Sequence, residues 1–144
     1  MTDTATIRGG RPPGNATSYN PICGQDCPPG TPVCQSADDD GTVLMADASD
    51  ADTAYVTGLT SGRGVEGNPV LVQFGGILTL TEAEWDAITG GSGGLDRNTP
   101  YFLSTTAGRL TTTAPSGGGD FVVPIGTATS STDLMVRPGF PAEA

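Results

Sequence analysis

The sequence contains no histidine and no lysine, so its six basic residues are all arginine. Histidine is the commonest general base and metal ligand, and without it triad hydrolases and most zinc enzymes lose their usual residues. Sixteen Asp and Glu residues bring the net charge to −10, and no basic stripe is present for contacts to phosphates. These absences predict a protein that is not an enzyme, does not bind nucleic acid and has proteins as its partners.

Long apolar runs are also missing. No run approaches the roughly 18 residues of a membrane span, and the N-terminus lacks the apolar core of a secretory signal. We therefore expect a chain with no membrane contact that is synthesised in a cytosol. Charged residues make up only 15% of the chain, against 22 Gly and 12 Pro, which argues against a helical bundle or coiled coil.

Residues 1–40 differ in character from the rest. They hold six of the twelve prolines, and nearly all of their large apolar side chains are Ile7, Tyr19, Ile22 and Val33. Such a segment buries too little apolar surface to offset the conformational entropy that it would lose on becoming ordered. Its Pro-Pro pairs favour an extended conformation. The predicted organisation is an extended N-terminal arm over residues 1–40 and a compact β domain over residues 41–144.

After Gly41, short apolar runs alternate with turn residues. Eight runs rich in β-branched and aromatic residues predict strands, and their spacing favours a small β-barrel or β-sandwich. The runs are 42–45, 54–56, 70–74, 77–80, 101–103, 109–111, 121–125 and 133–136. Gly75-Gly76 predicts a two-residue hairpin. Pro124 has no N–H to donate, so its strand is expected to lie at an edge or to carry a bulge.

One short helix is predicted over about residues 81–88. Thr81 and Glu84 have the spacing of a capping box, and Leu80 and Trp85 that of a hydrophobic staple. Gly90 follows as the stop signal. Trp85, the only tryptophan, is expected to plug one end of the β core.

The three cysteines, Cys23, Cys27 and Cys34, have the spacing C-x3-C-x6-C. A zinc site would need a carboxylate such as Asp26 or Asp38, because the chain has neither histidine nor a fourth cysteine. We expect no metal and no cofactor. The odd count favours one disulfide, with all three pairings open, or three reduced thiols.

Aspartates 38–40, followed by Asp47, Asp50 and Asp52, invite a calcium interpretation. Their spacing does not match an EF-hand loop, and runs of carboxylates are usually solvated. We interpret residues 38–40 as a linker between arm and domain.

Four segments carry a resemblance to a known family. They are Gly93-Gly94-Leu95 through Tyr101-Phe102-Leu103-Ser104, Gly108-Arg109-Leu110-Thr111-Thr112-Thr113-Ala114-Pro115, Phe121-Val122-Val123-Pro124-Ile125-Gly126, and Leu134-Met135-Val136. Together they resemble a recurring module of tailed-bacteriophage virion proteins, found in capsid decoration (head cement) proteins and, more loosely, in tail appendages. The similarity covers roughly residues 42–137. Asp96-Arg97-Asn98 stands where that module more often has Thr-Pro-Gly.

The resemblance implies a structural virion protein on the outer surface of an assembled phage capsid, which it stabilises. Its partners would be the major capsid protein and neighbouring copies of itself, in an oligomer such as a trimer. The arm would bridge capsid subunits, with anchor residues of the types favoured at interfaces: Ile7, Arg8, Arg11, Tyr19 and Ile22. The alternative is a tail-fibre, baseplate or head-spike appendage that binds a receptor or carbohydrate through exposed aromatics such as Tyr55 or Tyr101.

Overall fold

The computed structural model describes residues 16–144. The fold is mainly β with one short helix, as predicted, and its strands form sheets of six, five and two strands. The elements are β1 (Ser18–Tyr19), β2 (Ile22–Cys23), β3 (Pro32–Gln35), β4 (Thr42–Met45), β5 (Gly58–Thr60), β6 (Val72–Gln73), β7 (Ile77–Thr79), α1 (Glu82–Thr89), β8 (Pro100–Leu103), β9 (Leu110–Thr111), β10 (Phe121–Val122), β11 (Pro124–Ala128), β12 (Asp133–Val136) and β13 (Ala142–Glu143).

The six-stranded sheet, in the order β1-β6-β5-β3-β4-β2, closes on itself. β1 pairs antiparallel with β6, placing Tyr19 opposite Val72, and the same register continues to a bridge between Ile22 and Pro69. On its other side Ile22 pairs in parallel with Thr42 of β4. Because β1 and β2 belong to one extended stretch, residues 18–23 close a small barrel between β6 and β4.

Two hydrophobic cores follow from this closure. The smaller core lies on the inward face of the barrel and consists of Cys23, Val33, Val43, Val70 and Val72. Side chains alternate across a strand, so Cys34 and Leu59 turn outward. There they join the larger core, which the five-stranded sheet and α1 also line.

The five-stranded sheet has the order β7-β12-β11-β8-β9. β11 lies between β12 and β8, so the expectation that the Pro124 strand is an edge is wrong. The alternative expectation, a bulge, is confirmed, because the register with β8 shifts between Pro124 and Gly126. The missing N–H of Pro124 is therefore accommodated at a break in the ladder.

The predicted arm is wrong for residues 18–35, which belong to the barrel. Val33 is fully buried, and Cys27 and Gly64 exchange both backbone hydrogen bonds, at 2.8 and 3.0 Å. The physical reason is that these short strands obtain their partners from residues far along the chain, which composition does not reveal. Aspartates 38–40 are accordingly not a linker but the turn between the paired strands β3 and β4.

Two further local predictions are wrong. Gly75-Gly76 does not make a hairpin, because β6 and β7 belong to different sheets. Gly76 nonetheless adopts a left-handed φ of 74°, between the last strand of one sheet and the first of the other. Residues 54–56 are not a strand, although Ala54 and Val56 are buried in the larger core.

The helix prediction is confirmed: α1 spans Glu82–Thr89 with Thr81 as its N-cap and both hydrogen bonds of the capping box in place. Trp85 is fully buried, and its Nε1 donates to the Thr132 carbonyl at 2.7 Å.

Replacing Thr81 with Ala is expected to lower the free energy of unfolding by about 1 kcal/mol, since the Glu84 N–H loses its acceptor. Urea denaturation measures the change. Thr81→Ser, which keeps the hydroxyl, is the matched control and should retain most of the stability. Equal losses in the two variants would contradict the capping role.

Candidate partner-binding surface

Residues 16–144 contain no group of three or more His, Cys, Asp or Glu side chains that could hold a metal ion. Their helix is also far too short and polar to span a membrane. The surface patches and small cavities of this region are candidate binding features.

Of the five predicted anchors, only Tyr19 and Ile22 fall within the described residues; Ile7, Arg8 and Arg11 lie outside them. Tyr19 and Ile22 are both 37% exposed. They do not share one surface, because Ile22 is three positions after Tyr19, and an odd offset along an extended strand puts the side chains on opposite faces.

Ile22 belongs to an exposed apolar patch on the outer wall of the barrel. Its cross-strand partner is Pro69, and Leu71 lies two residues further along the same strand, on the same face. Leu71 is 45% exposed and Pro69 is also exposed. We call Ile22, Pro69 and Leu71 the barrel-wall patch.

Tyr19 lies at one end of the barrel, against Phe74. The two ring centroids are 6.2 Å apart with the planes tilted by 56°. The Tyr19 hydroxyl donates to Thr57 Oγ1 at 2.8 Å, which fixes the ring. Phe74 is itself 39% exposed. The aromatic pair and the barrel-wall patch lie on opposite faces of the same two paired segments, residues 18–22 and 69–74.

A second apolar surface crosses the outer face of the five-stranded sheet. Ile77 pairs with Met135, Met135 with Thr127, and Thr127 with Pro100. These four side chains form one exposed row over four strands, and Ile77 and Met135 are more than 40% exposed. A cavity of about 180 Å³ lies within the row, with Arg137 on its wall.

The aromatic residues of the appendage alternative are separated by the fold. Tyr55 is 52% exposed and packs edge-to-face on Phe140, with the ring centroids 5.6 Å apart. Tyr101 is only 3% exposed, and its hydroxyl accepts the Asp96 N–H at 2.8 Å. Burial raises the pKa of the Tyr101 phenol. Tyr101 is therefore a core residue and does not offer a ring to a ligand.

Charge is divided unevenly along the chain. Residues 16–144 contain every acidic residue of the chain except Asp3. The same residues contain only four arginines, which are Arg63, Arg97, Arg109 and Arg137. The first 15 residues carry Arg8, Arg11 and Asp3 and are net positive. The described body is therefore strongly acidic, while the segment that precedes β1 has the opposite sign.

The acidic residues near positions 38–52 serve turns. The Ser36 hydroxyl accepts the amides of Asp38 and Asp39, and Asp50 Oδ1 accepts the Asp52 amide at 2.8 Å. Hydrogen bonding of this kind is the usual role of Ser and Asp in turns.

All three cysteines are buried free thiols in the structure. Burial raises the pKa of each thiol, to about 12 for Cys27. They are not equivalent in position, since Cys23 lies in the barrel core and Cys34 in the larger core.

No protein-family model matches the chain, and no curated protein matches it either.

Sequence reasoning missed Leu71, Phe74, Ile77 and Met135 as surface residues, because each belongs to a run that was assigned to strands as a whole. The alternation of buried Val70 and Val72 with exposed Leu71 is the signal that could have identified the outward face.

Proposed function

We propose that the protein is a structural virion protein that binds the outer surface of an assembled phage capsid and stabilises the shell. The N-terminal segment and the strand that follows it, residues 18–23, make the contact with the major capsid protein. The sequence resemblance to capsid decoration proteins supports this assignment, and so does the mainly β fold.

One observation carries the proposal. The strand that continues directly from the net positive N-terminal segment exposes an apolar barrel-wall patch, on a body that is otherwise acidic. Apolar anchors within a polar surface are typical of protein interfaces, and Arg is among the residues most often found at their energetic centres. Ile7, Arg8 and Arg11 would extend the same contact towards the N-terminus.

Stabilisation would follow from mass action. A protein that binds the assembled shell and not its free subunits stabilises the shell by its binding free energy. The free energy gained is multiplied over the many equivalent sites of a capsid. A basic segment and a rigid body that engage neighbouring subunits together would add avidity without requiring either contact to be strong.

The barrel-wall patch is tested by placing a charge on it. The double variant Ile22→Asp/Leu71→Asp is expected to bind expanded shells at least about 10-fold more weakly, since burying an unpaired carboxylate is costly. Co-sedimentation with shells at several concentrations of the protein measures the affinity.

Val65→Asp is the matched control, because Val65 is 46% exposed on a loop outside the patch. It should bind as the unmodified protein does. The exposed positions predict little change in thermal stability for either variant, and a circular dichroism melt checks this. Undiminished binding of the double variant would move the contact away from the patch.

A second candidate function is that of a receptor-binding appendage, favoured by the exposed Tyr55–Phe140 pair. Aromatic faces bind the apolar faces of sugars, and Phe140 is 77% exposed. Replacing both residues with Ala should abolish binding to immobilised host glycans under this alternative, and should leave shell binding unchanged if the protein is a decoration protein.

A further inference from the structure

We propose that Cys23 and Cys27 form a disulfide when the protein meets a small-molecule disulfide such as oxidised glutathione, while Cys34 remains a thiol. The inference is independent of the capsid role. It selects one of the three pairings that the sequence leaves open.

Both cysteines are held against the same segment, residues 64–68. The Cys23 N–H donates to the Asn68 carbonyl at 2.9 Å, and the Gly67 N–H donates to the Cys23 carbonyl at 2.8 Å. Cys27 makes the corresponding pair of bonds with Gly64. The two residues are thus fixed side by side at one end of the barrel, although three residues separate them in the chain.

Gly64 shows how closely the two side chains approach. A Cβ at this position would overlap Cys23 Sγ and would lie 3.6 Å from the Cβ of Cys27. Gly64 is not among the glycines with positive φ, so space rather than backbone conformation requires glycine here. The thiol of Cys23 therefore occupies the place that a side chain at Gly64 would take, next to Cys27.

Cys34 is directed away from this pair. Along β3 it alternates with Val33, so Val33 lies in the barrel core with Cys23 while Cys34 lies in the larger core. The Cys34 thiol points to the Met45 carbonyl oxygen, 4.0 Å away. The wall of the barrel separates it from Cys23.

Cys27 is only 2% exposed, so an oxidant is expected to reach the pair through the cavity that Cys27 lines. This cavity of about 320 Å³ is also lined by Asp26, Pro28, Pro29 and Arg63, and the Arg63 guanidinium suits the carboxylates of glutathione. The Cys27 thiolate would attack one sulfur of oxidised glutathione and release one glutathione thiolate, which takes up a proton. The deprotonated Cys23 thiol then attacks Cys27 Sγ and displaces the second glutathione. Two protein thiols are oxidised to one disulfide, and one glutathione disulfide is reduced to two thiols.

The rate of this reaction should depend steeply on pH. The thiolate is the nucleophile, and burial raises the pKa of Cys27 to about 12. Below that value the thiolate fraction grows about tenfold for each pH unit, so oxidation at pH 9 is expected to be roughly 100-fold faster than at pH 7.

Peptide mapping of the full chain tests the proposal. The reduced protein is incubated with oxidised glutathione at pH 9, alkylated in denaturant and cleaved before aspartate, which cuts between Gln25 and Asp26. Fragments 3–25 and 26–37 should then remain joined by a disulfide, with the alkyl group on Cys34. The C34S variant should give the same joined fragments at the same rate.

Three results would overturn the proposal: a disulfide that includes Cys34, three alkylated cysteines after prolonged incubation, or glutathione retained on a single cysteine. C23S separates the two chemical steps, since it should stop at a mixed disulfide on Cys27. If C23S does not fold, the mapping of the unmodified chain still decides the pairing. The oxidised protein should also melt a few degrees higher than the reduced one, as a small closed loop restricts the unfolded chain.

Discussion

Removal of residues 1–40 is expected to unfold the protein, whereas removal of residues 1–15 should leave it folded. The longer truncation deletes β1, β2 and β3, so the barrel loses the strand that closes it and the strand between β4 and β5. Val43, Val70 and Val72 would then lose Cys23 and Val33 from their shared core. Losses of several buried side chains at about 1–4 kcal/mol each exceed the total stability of an ordinary domain.

Thermal melts followed by tryptophan fluorescence distinguish the two truncations. The shorter one should melt cooperatively near the temperature of the full chain, and the longer one should show no cooperative transition. The shorter truncation is therefore the one suited to testing capsid binding. A cooperative melt of the longer truncation would contradict the closed barrel.

The Trp85→Ala variant is expected to lose about 3–5 kcal/mol of stability. Trp85 is fully buried in the larger core, and its indole N–H donates to the Thr132 carbonyl, tying α1 to the segment before β12. Removal of the ring would leave a cavity in the core, while the Thr132 carbonyl would keep its second donor, the Leu80 N–H. A loss of this size corresponds to a fall in melting temperature of about 10 °C or more.

Trp85→Phe is the matched control, because it removes the hydrogen bond donor but keeps much of the ring volume. It should lose less stability than Trp85→Ala in urea denaturation. If both variants cost under about 1 kcal/mol, Trp85 would not have the central place in the core assigned to it.

The parts of the fold that were predictable are those determined locally. Thr81 and Glu84 are three residues apart and define their own hydrogen bonds, so the helix start could be assigned from the sequence. The runs at 42–45 and 133–136 coincide with β4 and β12 for the same reason, since β-branched and apolar residues within one short window favour strand.

The barrel could not be predicted because its closure depends on contacts between distant residues. Ile22 pairs with both Pro69 and Thr42 across its two neighbouring strands, and nothing within residues 1–40 indicates either partner. The same limit explains why the hairpin predicted at Gly75-Gly76 is wrong: two adjacent glycines indicate a turn, but the sheet to which each flanking strand belongs is a tertiary property.

The candidate site was predicted only in part. Tyr19 and Ile22 were selected as anchors by residue type, and both are exposed. Their separation onto two faces and the contribution of Leu71 and Phe74 follow from the pairing of residues 18–23 with β6. Tyr101 was selected by residue type as well, but it is a buried core residue whose hydroxyl accepts the Asp96 N–H.

The structure also changes how the proposed capsid contact would be made. An extended arm of 40 residues would act as a long tether, whereas residues 18–35 belong to the barrel. The contact would therefore combine the net positive N-terminal segment with the wall of that barrel.

The central claim is that this protein occupies the outer surface of a capsid, and a reconstruction of the virion tests it most directly. The proposal predicts density for the barrel at repeated positions over the shell, with a copy number comparable to that of the major capsid protein and with residues 18–23 facing the shell. Density confined to the tail or to a single vertex, in low copy number, would contradict it.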